Sequence, residues 1–136
     1  MEQLTRNQAQ TKALEVIYII LTYQKANLVV DVGKIISSTL STPIEDADYF
    51  VKACAVGTIK YYQEIKDRVE PALKDWSWER INRVAQAIFI LAIVHKKYID
   101  PEVDNAVIID IAVKQAKAYL DDNDYKYINA VLNEVL

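Results

Sequence analysis

Apolar residues recur along this chain at spacings of three and four. The densest block, residues 84–94, is interrupted only by Gln86. A helix that is apolar on nearly every side is either a membrane span or the buried centre of a helical domain. This block covers about three turns, well short of the about 20 residues a bilayer needs, and Arg80, Arg83, Lys96 and Lys97 flank it closely. The pattern therefore predicts a central core helix over residues 76–97, opened by Asp75 and Ser77 beside two tryptophans.

The flanking segments read as shorter amphipathic helices. Thr5 and Gln8 fit a capping box, with Leu4 and Ala9 as its hydrophobic staple. Ala9, Ala13, Val16, Ile17, Ile20 and Leu21 then share one face, so the first helix ends near residues 24–27. A second helix over about 30–40 would bury Val29, Val32, Ile35, Ile36 and Leu40, and Pro43 stops it. Pro43 also suits the first turn of a third helix, which Glu45 and Asp46 favour electrostatically. That helix carries Phe50, Ala53, Cys54, Gly57, Tyr61 and Ile65 on one stripe. Gly57 costs about 1 kcal/mol there relative to alanine. Close approach of a neighbouring helix would explain it; neutral tolerance is the alternative.

Residues 68–74, around Pro71, read as a break or a short extra helix. Asp100 and Pro101 combine a cap with proline at a first helical position, ahead of Ile109, Ala112, Val113, Ala116 and Leu120. The polar cluster Asp121, Asp122, Asn123, Asp124 interrupts the pattern. Asp124 is a natural cap for a last helix burying Ile128, Val131, Leu132 and Val135. The expected fold is all-α: one domain over residues 1–136, a compact bundle of about seven helices. Its two halves, about 1–70 and about 71–136, would pack around the central buried helix.

Composition narrows the function classes. With 2 Gly and 3 Pro in 136 residues, neither tight hairpins nor a glycine-rich phosphate loop is expected. A net charge of −3 argues against a dedicated non-specific nucleic-acid binder, while leaving room for a local basic patch. Cys54 is the only cysteine and cannot form an internal disulfide. The N-terminus lacks the basic and apolar regions of a signal peptide, so a cytoplasmic protein is expected.

His95, the only histidine, lies in a different predicted helix from Cys54 and reads as a capping or partly buried residue. The acidic clusters at Glu45, Asp46, Asp48 and at Asp121, Asp122, Asp124 lack the glycine and terminal glutamate of a calcium loop. No catalytic residue, metal or cofactor is expected, and the chain is not read as an enzyme.

The order of motifs resembles the NusB family of bacterial transcription antitermination factors. Arg6, Ala9, Ala13, Leu14 and Tyr18 match its N-terminal helix. Gly57, Ile65, Val69 and Leu73 lead into Trp76, Ser77, Arg80 and Ile81, and the apolar run from Ala87 to Ala92 follows in place. Ala116 and Lys117, then Lys-Tyr-Ile-Asn-Ala-Val-Leu-Asn over 126–133, are similar to the family's K-F-V-N-G-V-L-D ending. The chain departs at Asn7, Gln8 and Gln10, where further arginines are usual. It departs again at Ile90 and His95, where the family carries an arginine and a glutamate, and at Asp110 and Ile111, where it carries an Asn-Glu pair.

The resemblance implies a partner, the ribosomal protein NusE, and joint binding of a single-stranded boxA element in ribosomal RNA leaders within the RNA polymerase antitermination complex. It implies RNA contacts at Arg6, Lys12, Tyr18, Lys117, Lys126, Tyr127 and Asn129. Backbone contact by cations and stacking of unpaired bases on aromatics is the physical basis. Each has a plainer reading: Arg6 as a solvated first-turn residue, Tyr18 and Tyr127 as edge-of-core tyrosines, Asn129 as a pin for the last helix. Two alternatives are a NusB-fold interaction module without strong RNA binding, and a stand-alone relative of the domain fused to rRNA cytosine methyltransferases.

Overall fold

The computed structural model describes residues 3–136. Among them are six α-helices and no strand: α1 (Arg6–Lys25), α2 (Val32–Leu40), α3 (Tyr49–Val69), α4 (Arg83–Val94), α5 (Asn105–Tyr119) and α6 (Asp124–Val135). Three 3-10 segments, Ile44–Asp46, Glu70–Leu73 and Trp78–Arg80, and a π-helical turn, His95–Ile99, fill the connections. The expected all-α class holds. The helix count is six rather than about seven because the extra helix anticipated near Pro71 is a single 3-10 turn. No helix among the described residues is long and apolar enough to cross a membrane.

The first boundary follows the sequence closely. Gln8 N–H donates to Thr5 Oγ1 at 3.1 Å and Thr5 N–H to Gln8 Oε1 at 2.9 Å, completing the capping box. Other boundaries differ, each for a local reason. Pro43 opens the short 3-10 turn rather than α3, which starts at Tyr49 under an Asp48 cap accepting from Val51 N–H at 3.1 Å. Val29 lies outside α2 and is 89% exposed, because Asp31 caps that helix later than its apolar pattern indicates. The central helix begins at Arg83, where Asn82 accepts from Val84 N–H at 2.7 Å; Asp75 and Ser77 do not start it. Asp100 and Pro101 form a turn, and Asp104 takes the cap position of α5. Asn123 holds that position for α6, with Asp124 its first residue.

The core is organised by α4. Ala85 and every residue from Ala87 through Val94 are buried, and α4 packs against α1, α3, α5 and α6. Burying each of its large aliphatic or aromatic side chains stabilises the fold by about 1.5–3 kcal/mol. Trp78, just ahead of α4, is fully buried, with its indole N–H donating to Tyr62 Oη at 2.9 Å. Its backbone N–H donates to Glu70 Oε2 at 2.8 Å, and its carbonyl accepts from Gln86 Nε2 at 2.8 Å. Cys54 on α3 is also fully buried. Burial pushes its thiol well above the ordinary range; Asp48 adds to this and Arg6 opposes it.

Gly57 is explained by close approach. A Cβ at this position would lie 2.7 Å from Val94 Cγ1, on the far side of the α3 and α4 seam. Directly after Val94 the π-helical turn is strapped back onto α3. The Tyr61 and Tyr98 rings stack at 3.6 Å, and Glu64 accepts hydrogen bonds from Tyr98 and Lys97.

Gly57→Ala is therefore expected to destabilise the protein by about 1–3 kcal/mol through overpacking, outweighing the about 1 kcal/mol gained in helix propensity. Urea unfolding measures it. In a Val94→Ala background the sign should reverse; a loss of equal size there would show that Val94 is not the obstacle.

Candidate nucleic-acid interface

Arg6 is the first residue of α1, with its side chain 59% exposed. Its guanidinium carbon lies 5.1 Å from the Phe50 ring centroid, and Nη1 lies 4.0 Å from Asp100 Oδ2. The same carboxylate oxygen is 3.0 Å from His95 Nε2. His95 is buried edge-on against Phe50, and burial lowers its pKa more than Asp100 raises it. His95 is thus a buried residue tying the π-helical turn together.

Lys12, two turns further along α1, pairs with Glu15 at 3.4 Å. Arg6 and Lys12 border neighbouring polar grooves that share Leu4, Asp48 and Tyr49.

Tyr18 stands about 18 Å beyond Arg6 at 1.5 Å per residue, a third of a turn around the helix. It edges a mostly apolar groove with Ile19, Val84, Ala87 and Tyr119. Arg83 reaches over it, its guanidinium carbon 5.8 Å from the ring centroid, while donating to Thr22 Oγ1 at 3.0 Å. Tyr18 and Tyr119 are 39% and 54% exposed.

The last helix supplies a second groove. Tyr127 lines it with Trp76, Arg80, Asn82, Leu120 and Asp124. The Tyr127 ring meets Phe89 edge-on at 5.9 Å. Its hydroxyl is buried without a hydrogen-bond partner among the described residues. Burial, with a smaller contribution from Asp124, pushes its pKa up to about 12. The two grooves are lined by consecutive residues where α4 begins, Ala85 for this one and Val84 for that of Tyr18, and where α5 ends, Leu120 and Tyr119.

Lys117 and Lys126 are exposed, and Lys117 Nζ sits 4.6 Å from the Tyr125 ring centroid. Asn129 is exposed too, and its carbonyl accepts from Asn133 Nδ2 at 2.9 Å within α6.

The structure thus places Tyr18 and Tyr127 in two grooves that both draw on the start of α4, and leaves Arg6 and Lys12 in the first half of α1. Trp76 and Arg80 also line the Tyr127 groove, Tyr119 lines that of Tyr18, and Arg83 reaches over the Tyr18 ring; none of these was anticipated as a contact. Arg83 and Tyr119 sit at helix ends, where a long side chain turns outward; that was the available signal.

The family model described as "NusB family" matches residues 7–136. The transcription antitermination protein NusB of Macrococcus caseolyticus is 38% identical over 90 residues, covering 65% of this chain and 67% of that protein. That of Geobacillus kaustophilus is 29% identical over 135 residues, covering 97% and 95%. In structure the chain is similar to T. maritima NusB, with a TM-score of 0.81 at 20% identity over 98% of this chain and 92% of the other.

The class defined by this fold and these relatives is that of the small helical transcription antitermination factors, which are regulatory proteins and not enzymes. The chain belongs to the NusB family. The family match begins at residue 7, just after Arg6.

The buried Tyr127 hydroxyl gives a test in alkali. Its folded pKa of about 12 lies above the ordinary value of 10.0. The folded state therefore holds the proton longer than the unfolded chain, and stability falls as pH rises from about 10 to 12. Tyr127→Phe should flatten this fall and leave stability near neutral pH unchanged or higher, as followed by urea midpoints against pH. An unaltered slope would mean that the hydroxyl is wet.

Proposed function

We propose that this chain binds single-stranded boxA-type RNA together with NusE, and that the pair joins the RNA polymerase antitermination complex to keep rRNA transcription processive. The observation that carries the reading is the pair of aromatic-edged grooves lined by the first turn of α4, one with Arg80 in its wall and the other with Arg83 reaching over its Tyr18 ring. Unpaired bases stack on such rings while cations hold the backbone. Tyr18, Tyr127, Lys117 and Lys126 serve this surface; Arg6 and Lys12 extend the backbone track along α1. Asn129 acts mainly by bracing α6. The chain works as one cytoplasmic domain over residues 1–136, its halves meeting across α4.

A second reading, an interaction module of the same fold without strong RNA binding, draws on the charge distribution. Asn7, Gln8 and Gln10 replace cations, the net charge is −3, and Arg6 and Lys12 already face acidic partners. On the favoured reading these features make RNA affinity depend on NusE.

A gel-shift titration with boxA-type RNA at low salt, with and without NusE, separates the two. The expected result is a shift that NusE strengthens; no shift from folded protein with NusE present sinks the RNA reading. Arg6→Ala should lower the slope of log affinity against log salt by about 0.7–1 unit, as for one lost phosphate contact. If the slope stays put, Arg6 touches no phosphate.

A further inference from the structure

The two tryptophans are two residues apart and oppositely placed: Trp78 is 0% exposed and Trp76 57% exposed. Leaving an indole in water forgoes much of the stabilisation its burial would bring. The backbone nonetheless holds it in place. Lys74 has φ +61° and ψ −93°, near the rare γ conformation that costs free energy in a non-glycine residue. Trp76 N–H then bonds back to the Leu73 carbonyl at 3.4 Å. Two residues on, the buried Trp78 and its hydrogen bond to Glu70 anchor the chain again. Trp76 is thus an exposed ring on a segment pinned on both sides, so little backbone ordering is left to be lost when something binds it.

The groove that Trp76 lines has a volume of about 380 Å³, at the small end of the range for ligand pockets, about 300–1,000 Å³. Tyr127 lines it as well, its ring turned edge-on to Phe89 and its hydroxyl buried. That ring is committed to the core. Arg80 is exposed; its backbone N–H donates to the Ser77 carbonyl at 3.1 Å, while its guanidinium makes no hydrogen bond or ion pair among the described residues. Asn82 uses Oδ1 to cap α4, leaving its amide N–H groups to donate. Asp124 contributes an acceptor at the start of α6. One flat aromatic ring, one uncommitted cation and a donor with an acceptor along the wall match an unpaired nucleotide: ring for base, guanidinium for phosphate, polar groups for the base edge. A purely apolar protein anchor would leave these polar groups unmatched.

We infer that the Trp76 groove is a seat for a single unpaired RNA base, with Trp76 as the stacking platform, Arg80 on the adjoining phosphate and Tyr127 as the fixed wall. This rests on the RNA-binding reading above and reassigns its stacking role from Tyr127 to Trp76.

The test uses the natural pair of tryptophans. Acrylamide, which is neutral and leaves ionic strength alone, reaches Trp76 but not the buried Trp78. Quenching is measured for the free protein, with NusE, and with NusE plus a boxA-type single-stranded RNA whose binding is confirmed by gel shift. Protection of Trp76 is expected only when RNA is added. Trp76→Ala should weaken RNA binding about 5- to 140-fold, which is stacking of about 1–3 kcal/mol per base converted at 1.4 kcal/mol per tenfold. Trp76→Phe should restore most of the affinity, and circular dichroism should be unchanged in both. If RNA binds while Trp76 stays quenchable and Trp76→Ala binds normally, the seat is overturned and the RNA reading stands. Protection by NusE alone makes the groove a protein contact and also overturns it. Absence of any RNA shift defeats both readings together.

Discussion

A helix buried on all sides has no face of its own to give to solvent, so its neighbours must enclose it. That is the condition α4 imposes here. It accounts for the packing of α1 and α3 on one flank and α5 and α6 on the other. It also accounts for the one place where a side chain is forbidden: Gly57 removes the Cβ that Val94 leaves no room for. Native interiors are close-packed and absorb an extra methyl group poorly. The α3 and α4 seam is therefore set by backbone approach rather than by an interlocking of large residues.

The same enclosure decides where function resides. No polar side chain from the middle of α4 reaches the surface, so binding chemistry collects where the helix enters and leaves the core. At its exit the chain shifts to a π-helical turn, and His95, Phe50, Asp100 and Arg6 lock that turn to the start of α1. At its entry lie the two grooves, edged by Tyr18, Tyr119 and Trp76. The entry carries the uncommitted cation and the exposed rings. The exit has its charges engaged with one another.

Much of this was legible from residue order. The capping box at Thr5, the central apolar helix, the burial of Ile128, Val131, Leu132 and Val135, and the reason for Gly57 all follow from spacing and steric demand. What sequence misplaced were helix starts at which two capping residues competed. Pro43 and Ser77 each open only a 3-10 turn with no side-chain cap, whereas Asp48 and Asn82 accept from the Val51 and Val84 N–H groups and start the α-helices. The fate of the two tryptophans was not readable either. Trp76 and Trp78 have the same chemistry two residues apart, and only the tertiary position of Tyr62, Glu70 and Gln86 selects which enters the core. Tyr127 shows the limit of motif transfer: the pattern locates the residue in the groove, while its contact with Phe89 determines what the ring has left to offer.

Cys54 carries a last consequence. The chain's one thiol is sealed on α3, and desolvation keeps it from ionising. In the native state it is a silent group, slow towards alkylating reagents, because the thiolate is the reactive form. Any opening that admits water to this part of α3 switches it on. Evolution has in effect left a single chemical fuse in the interior, so the rate at which it is consumed records how often the core of this protein comes apart.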